Sequence, residues 1–596
     1  MLKLMFKSFD KKNVITFIAI ILLVIGQVYF ELKMPDYMSE ITRLVETEGS
    51  EMSDILKNGG YMLLCALGSL AIAVFTDFLV AGLTATITKR IRKNLFTKVE
   101  DMATNEIKQF STSSLLTRTT NDISQIQMTL AMGTQLIIRA PVTTIWAVVK
   151  ILNKSWQWSA LTGIEVVIML SLISIIIAVV SPRFKIVQKL TDKLNTVSRE
   201  NLTGIRVVRA FNAEKYQEDK FANVNSDLTN MQMFNQRAFA TLEPLIYLIM
   251  DFLPLGIYII GANLINNADM MSKISLFGDM IVFSSYAMQI IISILMLAMI
   301  FMMLPRAQVS AERINEVLDT PITIKDGKKN KVDTDVIGKV EFKDVTFQYP
   351  DADAPLLKDI SFVANKGETV AFIGSTGCGK SSLINLIPRL YDATEGEVLV
   401  DDVNVKDYTQ KELHNKLGYV PQKAVIFSNT VKNNVTFGDN GKGKISDEKV
   451  NEAIKVAQAE EFVNKMENGT DTMMARGGTN VSGGQKQRLS IARAIARDPE
   501  IYIFDDTFSA LDYKTDSLLR KELKKYTKDA TVLIVAQRIG TVMNADKIIV
   551  LEDGKIVGMG KHKDLLNNCD VYKQIALSQL SKEELTYQGD KNKEYQ

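Results

Sequence analysis

The chain has 596 residues, 47% of them apolar and 23% charged, a pairing that implies two unlike halves rather than one uniform domain. Seventy basic against 68 acidic residues leave a net charge of +2, which excludes the basic field of a nucleic-acid binder. Three Cys and two His exclude a disulfide framework and leave little for a structural zinc site, while 12 Pro and 33 Gly exclude collagen-like and low-complexity classes.

The strongly apolar segments all precede residue 310. Val14–Phe30 holds 17 residues without a charge. Its basic lead (Lys3, Lys7, Lys11, Lys12) fits a signal peptide. However, the run is longer than an h-region, and Glu31, Lys33 and Pro35 follow where a small-residue cleavage site belongs. It reads as a retained helix. Asn58–Thr76 is uncharged and resumes after Asp77 to Thr88. Ile123–Ile138 and Ala140–Val149 flank Arg139. Val166–Pro182 follows Glu165, Phe252–Ala268 follows Asp251, and Met280–Pro305 is 26 residues without a charge. A bilayer core takes ~20 mostly apolar residues per helix, and buried soluble helices are usually broken by polar residues within ~14 positions. Six spanning helices are predicted, near 14–34, 58–88, 123–152, 158–182, 244–266 and 277–305.

Basic residues set the orientation. They precede the first helix, follow the second (Lys89, Arg90, Arg92, Lys93, Lys98), the fourth (Arg183, Lys185, Lys189, Lys193, Arg206, Arg209) and the sixth (Arg306, Arg313). The first outer loop is acidic, with Glu46, Glu48, Glu51 and Asp54. Both termini are therefore expected in the cytoplasm of a multi-pass plasma-membrane protein. Residues 183–242 are polar with helical apolar spacing (Leu190, Leu194, Val197), which predicts a hairpin with legs of ~45 Å beyond the membrane.

Residues 1–319 thus form the membrane domain. Residues 320–338 are charged and aperiodic and read as a linker. From 339 to 580 the pattern is α/β. Val340, Phe342, Val345 and Phe347 give an imperfectly alternating strand, Thr369–Gly374, Ile501–Asp505 and Thr531–Ala536 read as buried strands, and Glu552-Asp553-Gly554 turns a hairpin. Residues 581–596 form a polar tail. His414 and His562 read as surface residues.

Gly374-Ser375-Thr376-Gly377-Cys378-Gly379-Lys380-Ser381, followed by Ser382, matches G-x-x-x-x-G-K-[ST] between a buried strand and a helical pattern. The glycines let backbone N–H groups wrap a phosphate, and the helix N-terminus adds positive potential. Lys380 is positioned for the outer phosphates and Ser381 for Mg²⁺. Cys378 reads as a small loop filler rather than a reactive thiol. Ile501–Asp505 is a strand ending in a carboxylate, which in a P-loop fold lies beside the metal.

Between these motifs lies Val481-Ser482-Gly483-Gly484-Gln485, leading into a basic helical segment. With Gln422 in Tyr-Val-Pro-Gln, Ser509-Ala-Leu-Asp512, and Tyr349 before Pro350, the set resembles the ATP-binding cassette family, and the resemblance covers nearly the whole chain. Six membrane helices followed by one α/β P-loop cassette look like a half-size ABC exporter. Gly204-Ile-Arg-Val-Val-Arg-Ala-Phe211 and Thr117-Arg-Thr-Thr-Asn-Asp122 resemble that family's cytoplasmic loop segments.

The resemblance implies a head-to-tail cassette dimer with ATP and Mg²⁺ as cofactors. On that resemblance Tyr349 would stack on adenine, Ser381, Gln422 and Asp505 would hold Mg²⁺, and Gln422 would also meet the attacking water. Ser482, Gly483, Gly484 and Gln485 would by the same resemblance cap the γ-phosphate of ATP held by the partner chain. A hydroxyl, backbone N–H groups and a helix N-terminus do form an anion site.

Two positions depart from the family pattern. The usual Glu after the strand-end Asp is Asp506, which draws the carboxylate back by ~1.5 Å where general-base work needs contact of ~2.6–3.2 Å. The usual switch His is Gln537, which hydrogen-bonds but carries no imidazolium charge. Ala475-Arg476-Gly477-Gly478 also lacks the expected acidic residue. These departures imply a degenerate ATP site in one half of a heterodimer, whose non-identical partner supplies catalytic Glu and switch His. A slow homodimeric exporter and an ATP-gated channel or sensor stand as alternatives.

Asp77, Arg139, Glu165 and Asp251 interrupt apolar runs, and intramembrane charges usually face a cavity or each other. Arg139 and Asp251, with Met296 and Met299 of a soft Met stripe, are the candidates for the path of an amphipathic or hydrophobic solute.

Overall fold

The computed structural model describes residues 9–47, 49–152, 154–329 and 336–579. The polar tail and the middle of the predicted linker lie outside these residues. The chain divides into two compact units: Met1–Glu100 with Thr112–Thr320, and Asp101–Ser111 with Pro321–Gln596.

The first unit is helical. Its long helices are α1 (Lys11–Glu46), α2 (Met52–Glu100), α4 (Ile123–Leu152), α5 (Trp156–Thr203), α6 (Glu214–Asn266) and α7 (Met270–Asp319); the label α3 belongs to Thr104–Gln109 in the other unit. Six helices among the described residues are long and apolar enough to cross a membrane. The 49 residues of α2 span about 74 Å, well beyond a hydrocarbon core of about 30 Å. Asp10 starts α1 by accepting from Lys11 N at 2.8 Å. A π-helical segment, Arg118–Asp122, leads into α4. Between α5 and α6 the chain turns through a short helix, Ile205–Ala210, which makes the hairpin the polar spacing predicted.

Helix α1 packs along α2, α4 along α7, and α5 along α6. Buried Trp158 donates its indole N–H to Ile257 O at 3.1 Å, which fixes α5 against α6. Arg139 and Asp77, two of the charges that interrupt the apolar runs, find partners across helices. Arg139 donates to both Glu31 oxygens at 2.8 and 2.9 Å, with Gln27 (3.0 Å) and Ser69 (3.3 Å) on the same carboxylate. Lys150 pairs with Asp36 at 2.7 Å, and Tyr286 donates to Asp36 at 2.6 Å. Gln135 hydrogen-bonds Asp77. Glu165 is buried, and its Oε2 has no partner among the described residues.

The second unit holds two sheets. A four-stranded antiparallel sheet has the order β2 (Leu357–Ala364), β1 (Val340–Phe347), β4 (Glu395–Val400), β5 (Val403–Asn404). A six-stranded sheet has the order β10 (Lys555–Gly560), β9 (Lys547–Glu552), β3 (Thr369–Gly374), β8 (Thr531–Val535), β7 (Ile501–Asp505), β6 (Leu417–Val420). Its central strands pair in parallel, and β7 and β8 are buried throughout. The broken alternation of β1 has a local cause: the register shifts between Phe342 and Val345, where Asp344 takes a left-handed φ of 48°. Asp553 and Gly554, both at positive φ, make the tight turn between β9 and β10.

Part of the segment read as a linker is fixed to this unit. Gly327 N donates to Tyr408 O at 2.9 Å and Lys329 N to Asp407 O at 3.0 Å. A Cβ at Gly327 would lie 2.1 Å from Asp407 O, so only glycine allows this approach. The histidines are not surface residues. His414 Nε2 contacts Pro388 O at 2.8 Å, and His562 Nδ1 contacts the Tyr572 hydroxyl at 2.6 Å, both half-buried. Spacing alone did not expose these tertiary contacts. Burial pushes His562 below its ordinary value.

Candidate functional site

Strand β3 runs through the buried centre of the large sheet and ends at Gly374, and helix α8 (Lys380–Asn385) begins at once after the glycine-rich loop. The glycines are required by backbone shape and space. Gly377 and Gly379 take φ of 89° and 99°. A Cβ at Gly374 would lie 2.0 Å from Leu551 O. Lys380 Nζ donates to Gly374 O at 2.8 Å and Ser375 O at 2.7 Å, so the ammonium is held over its own loop. Cys378 is buried, with Sγ 3.6 Å from Lys380 Nζ.

Ser381 Oγ donates to Asp505 Oδ1 at 2.7 Å, bringing the P-loop hydroxyl to the strand-end carboxylate. Burial pushes Asp505 above the usual carboxylate range; the Ser381 hydroxyl opposes this and the Asp506 charge adds to it. A hydroxyl and a carboxylate in contact beside a phosphate cradle are a donor set that could hold Mg²⁺, which would neutralise phosphate charge there.

The three residues read separately as departures or as a metal contact form one cluster. Asp506 sits just past β7 at a φ of 44° and is 7% exposed. Its Oδ2 accepts from Gln537 Nε2 at 2.7 Å and from Gln422 Nε2 at 3.2 Å. The short acid and the long amide are complementary: each fills the reach the other lacks. Both amides are held by one carboxylate oxygen.

Tyr349 follows β1. Its hydroxyl lies 2.8 Å from Ser382 Oγ on α8, and its ring meets Phe347 and Tyr391 edge-on at 4.8 and 5.2 Å between centroids. Sequence reasoning missed Tyr391 and Lys108 beside it. Lys108 lies on α3 (Thr104–Gln109), between the second and third long helices, yet its segment belongs with this unit. No local pattern announces that association.

Ser482 caps the 14-residue helix α9 (Gly483–Ala496). Gln485 N donates to Ser482 Oγ at 3.3 Å, and Ser482 N donates to Gln485 Oε1 at 2.8 Å. Ser482 and Gly483 are exposed, and among the described residues none of Ser482, Gly483, Gly484 or Gln485 hydrogen-bonds to the P-loop. Of the solute-path candidates, Arg139 is paired with Glu31, Asp251 is exposed on α6, Met299 is exposed, and Met296 is half-buried on α7.

Six helices long and apolar enough to cross a membrane, followed by a P-loop sheet with a second, capped and glycine-led helix, are the architecture of an ATP-binding cassette transporter. The family model "ABC transporter" matches residues 357–509, and "ABC transporter transmembrane region" matches residues 16–295. An uncharacterized ABC transporter ATP-binding protein of Mycobacterium tuberculosis is 39% identical over 87% of this chain and 87% of its own. The ATP-dependent lipid A-core flippase of Yersinia pestis is 31% identical over 88% of this chain and 89% of its own. A solved structure of a bacterial Atm1-family ABC exporter with ATP bound has a TM-score of 0.77 at 23% identity, covering 95% of this chain and 97% of that one. The chain belongs to the ABC transporter family. It is a half-size ABC exporter, a multi-pass bacterial membrane protein with its cassette in the cytoplasm.

Proposed function

We propose that this chain is the hydrolysis-poor half of a heterodimeric exporter that moves amphipathic or hydrophobic solutes outward. One observation carries the reading: Asp506 Oδ2 is engaged by both Gln422 and Gln537 within the chain. A carboxylate so held is a poor acceptor for a proton from water. The P-loop, Ser381 and Asp505 retain what ATP and Mg²⁺ need, so this site binds ATP and turns it over slowly. The capped and exposed signature helix, from Ser482 to Gln485, completes ATP on the partner, where a Glu and a His act on the water. The lipid A-core flippase among the relatives supports an amphipathic cargo. Asp251, Met296 and Met299 are the side chains proposed along its path.

The test is the ATPase activity of the purified chain alone against that of a 1:1 complex with a second, co-expressed half-transporter. The chain alone binds ATP with little phosphate release, and the complex hydrolyses it. Vigorous turnover by the chain alone overturns the assignment.

A further inference from the structure

The segment Asp101–Ser111 joins α2 to the helices that follow, and it packs as part of the cassette unit. It is firmly anchored there. Met102 and Phe110 are buried at its two ends. Glu106 is 1% exposed and accepts hydrogen bonds from Ala103 N and from the Thr323 hydroxyl. On this fixed turn Lys108 extends its ammonium over two rings, 5.3 Å from the Tyr349 centroid and 5.4 Å from that of Tyr391. The two rings stand at 89° to each other, and the cation lies over both of them. The Tyr391 hydroxyl raises Lys108 above its ordinary value, and the ammonium stays charged at neutral pH.

We propose that Lys108 is an adenine sensor, its ammonium and the base of ATP competing for the ring of Tyr349. The proposal rests on the reading of Tyr349 as the adenine platform. The base would take the ring face that Lys108 now covers, and on one face a stacked purine and an ammonium cannot both be in close contact. ATP binding therefore lifts Lys108 off the ring, and Lys108 sits on the loop between two membrane-spanning helices. The site thereby reports that the base is present, independently of the phosphates. The coupling is reciprocal: any movement of the loop that withdraws Lys108 tightens ATP binding by the factor by which ATP loosens Lys108. A cation–π contact of ordinary strength sets that factor at about three- to tenfold.

The test uses the full chain in lipid nanodiscs, with calorimetric binding of ATP and of tripolyphosphate, which has phosphates but no base. Lys108→Met keeps the stem and removes the charge. It should tighten ATP binding about three- to tenfold and leave tripolyphosphate unchanged, while Lys108→Arg, which keeps a cation over the ring, stays close to the parent. Unchanged ATP affinity in Lys108→Met overturns the proposal. So does an equal weakening for both ligands, because Lys108 would then be a general phosphate attractor. Tyr349→Ala separates the two layers of the argument. If it weakens ATP but Lys108→Met has no effect, the platform stands and the sensor falls. If Tyr349→Ala leaves ATP affinity unchanged, the platform reading itself fails.

Discussion

The cassette presents two glycine-led helix starts that differ in where their polar groups are spent. At the P-loop, side chains are turned inward on the same chain: Ser381 on Asp505, Lys380 on its own loop, and Gln422 and Gln537 on Asp506. At the start of α9, Ser482 and Gln485 satisfy each other, and Ser482 and Gly483 are exposed. Self-contained polar closure suits holding a nucleotide, whereas an ordered and exposed helix end suits completing a partner's site. On that contrast, substitutions at the two ends should have unequal consequences in the assembled transporter.

The largest effect belongs to the exposed end. Ser482→Arg replaces the cap hydroxyl by a bulky cation where the partner's γ-phosphate would dock. In the heterodimer it should lower phosphate release by ~10²–10³, the usual consequence of losing a well-placed transition-state contact. ATPase activity close to the parent would show that this helix end serves no composite site.

The inward-facing end sharpens the comparison. Asp506→Ala should change heterodimer turnover by less than about threefold, because a carboxylate already shared by two amides contributes little to water activation. Lys380→Ala should lie between Asp506→Ala and Ser482→Arg, since it removes a phosphate contact from a site that binds without needing to cleave. Phosphate release from the three variants, side by side, gives the order. Should Asp506→Ala prove as damaging as Ser482→Arg, the roles of the two ends are reversed.

The sequence made parts of this contrast legible and hid others. The six long helices were readable because lipid tolerates few interruptions in an apolar run. The P-loop was readable because left-handed backbone and close approach restrict Gly374, Gly377 and Gly379 to glycine. Asp506 and Gln537 were visible as two separate oddities, but their bond to one another spans 31 residues and its counterpart to Gln422 spans 84. The Glu31–Arg139 pair crosses 108 residues, so Arg139 read as a lone charge in the membrane. Lys108 carried no signal at all, since a six-residue polar helix looks like any loop turn until its tertiary partners are known.

The smallest expected effect tests whether the cassette's stability is separable from these two helix starts. His562 is half-buried, its Nδ1 meets Tyr572, and its Nε2 is buried with no partner among the described residues. Burial penalises the charged ring, so the folded-state pKa lies below the ordinary 6.5. A depressed folded value means that the stability from the neutral ring is fully present above about pH 6.5 and is lost as pH falls through the folded value. His562→Gln keeps polar groups for Tyr572 but has no proton to gain in this range. The melting temperature of the full chain should therefore fall more steeply in the parent than in His562→Gln between about pH 7 and pH 5.5, with the two curves parallel above pH 7. The carboxylates common to both proteins cancel in the difference. Parallel curves throughout would mean that His562 takes up its proton as easily in the fold as in the open chain, and the buried, unpartnered Nε2 would not be the liability its surroundings make it.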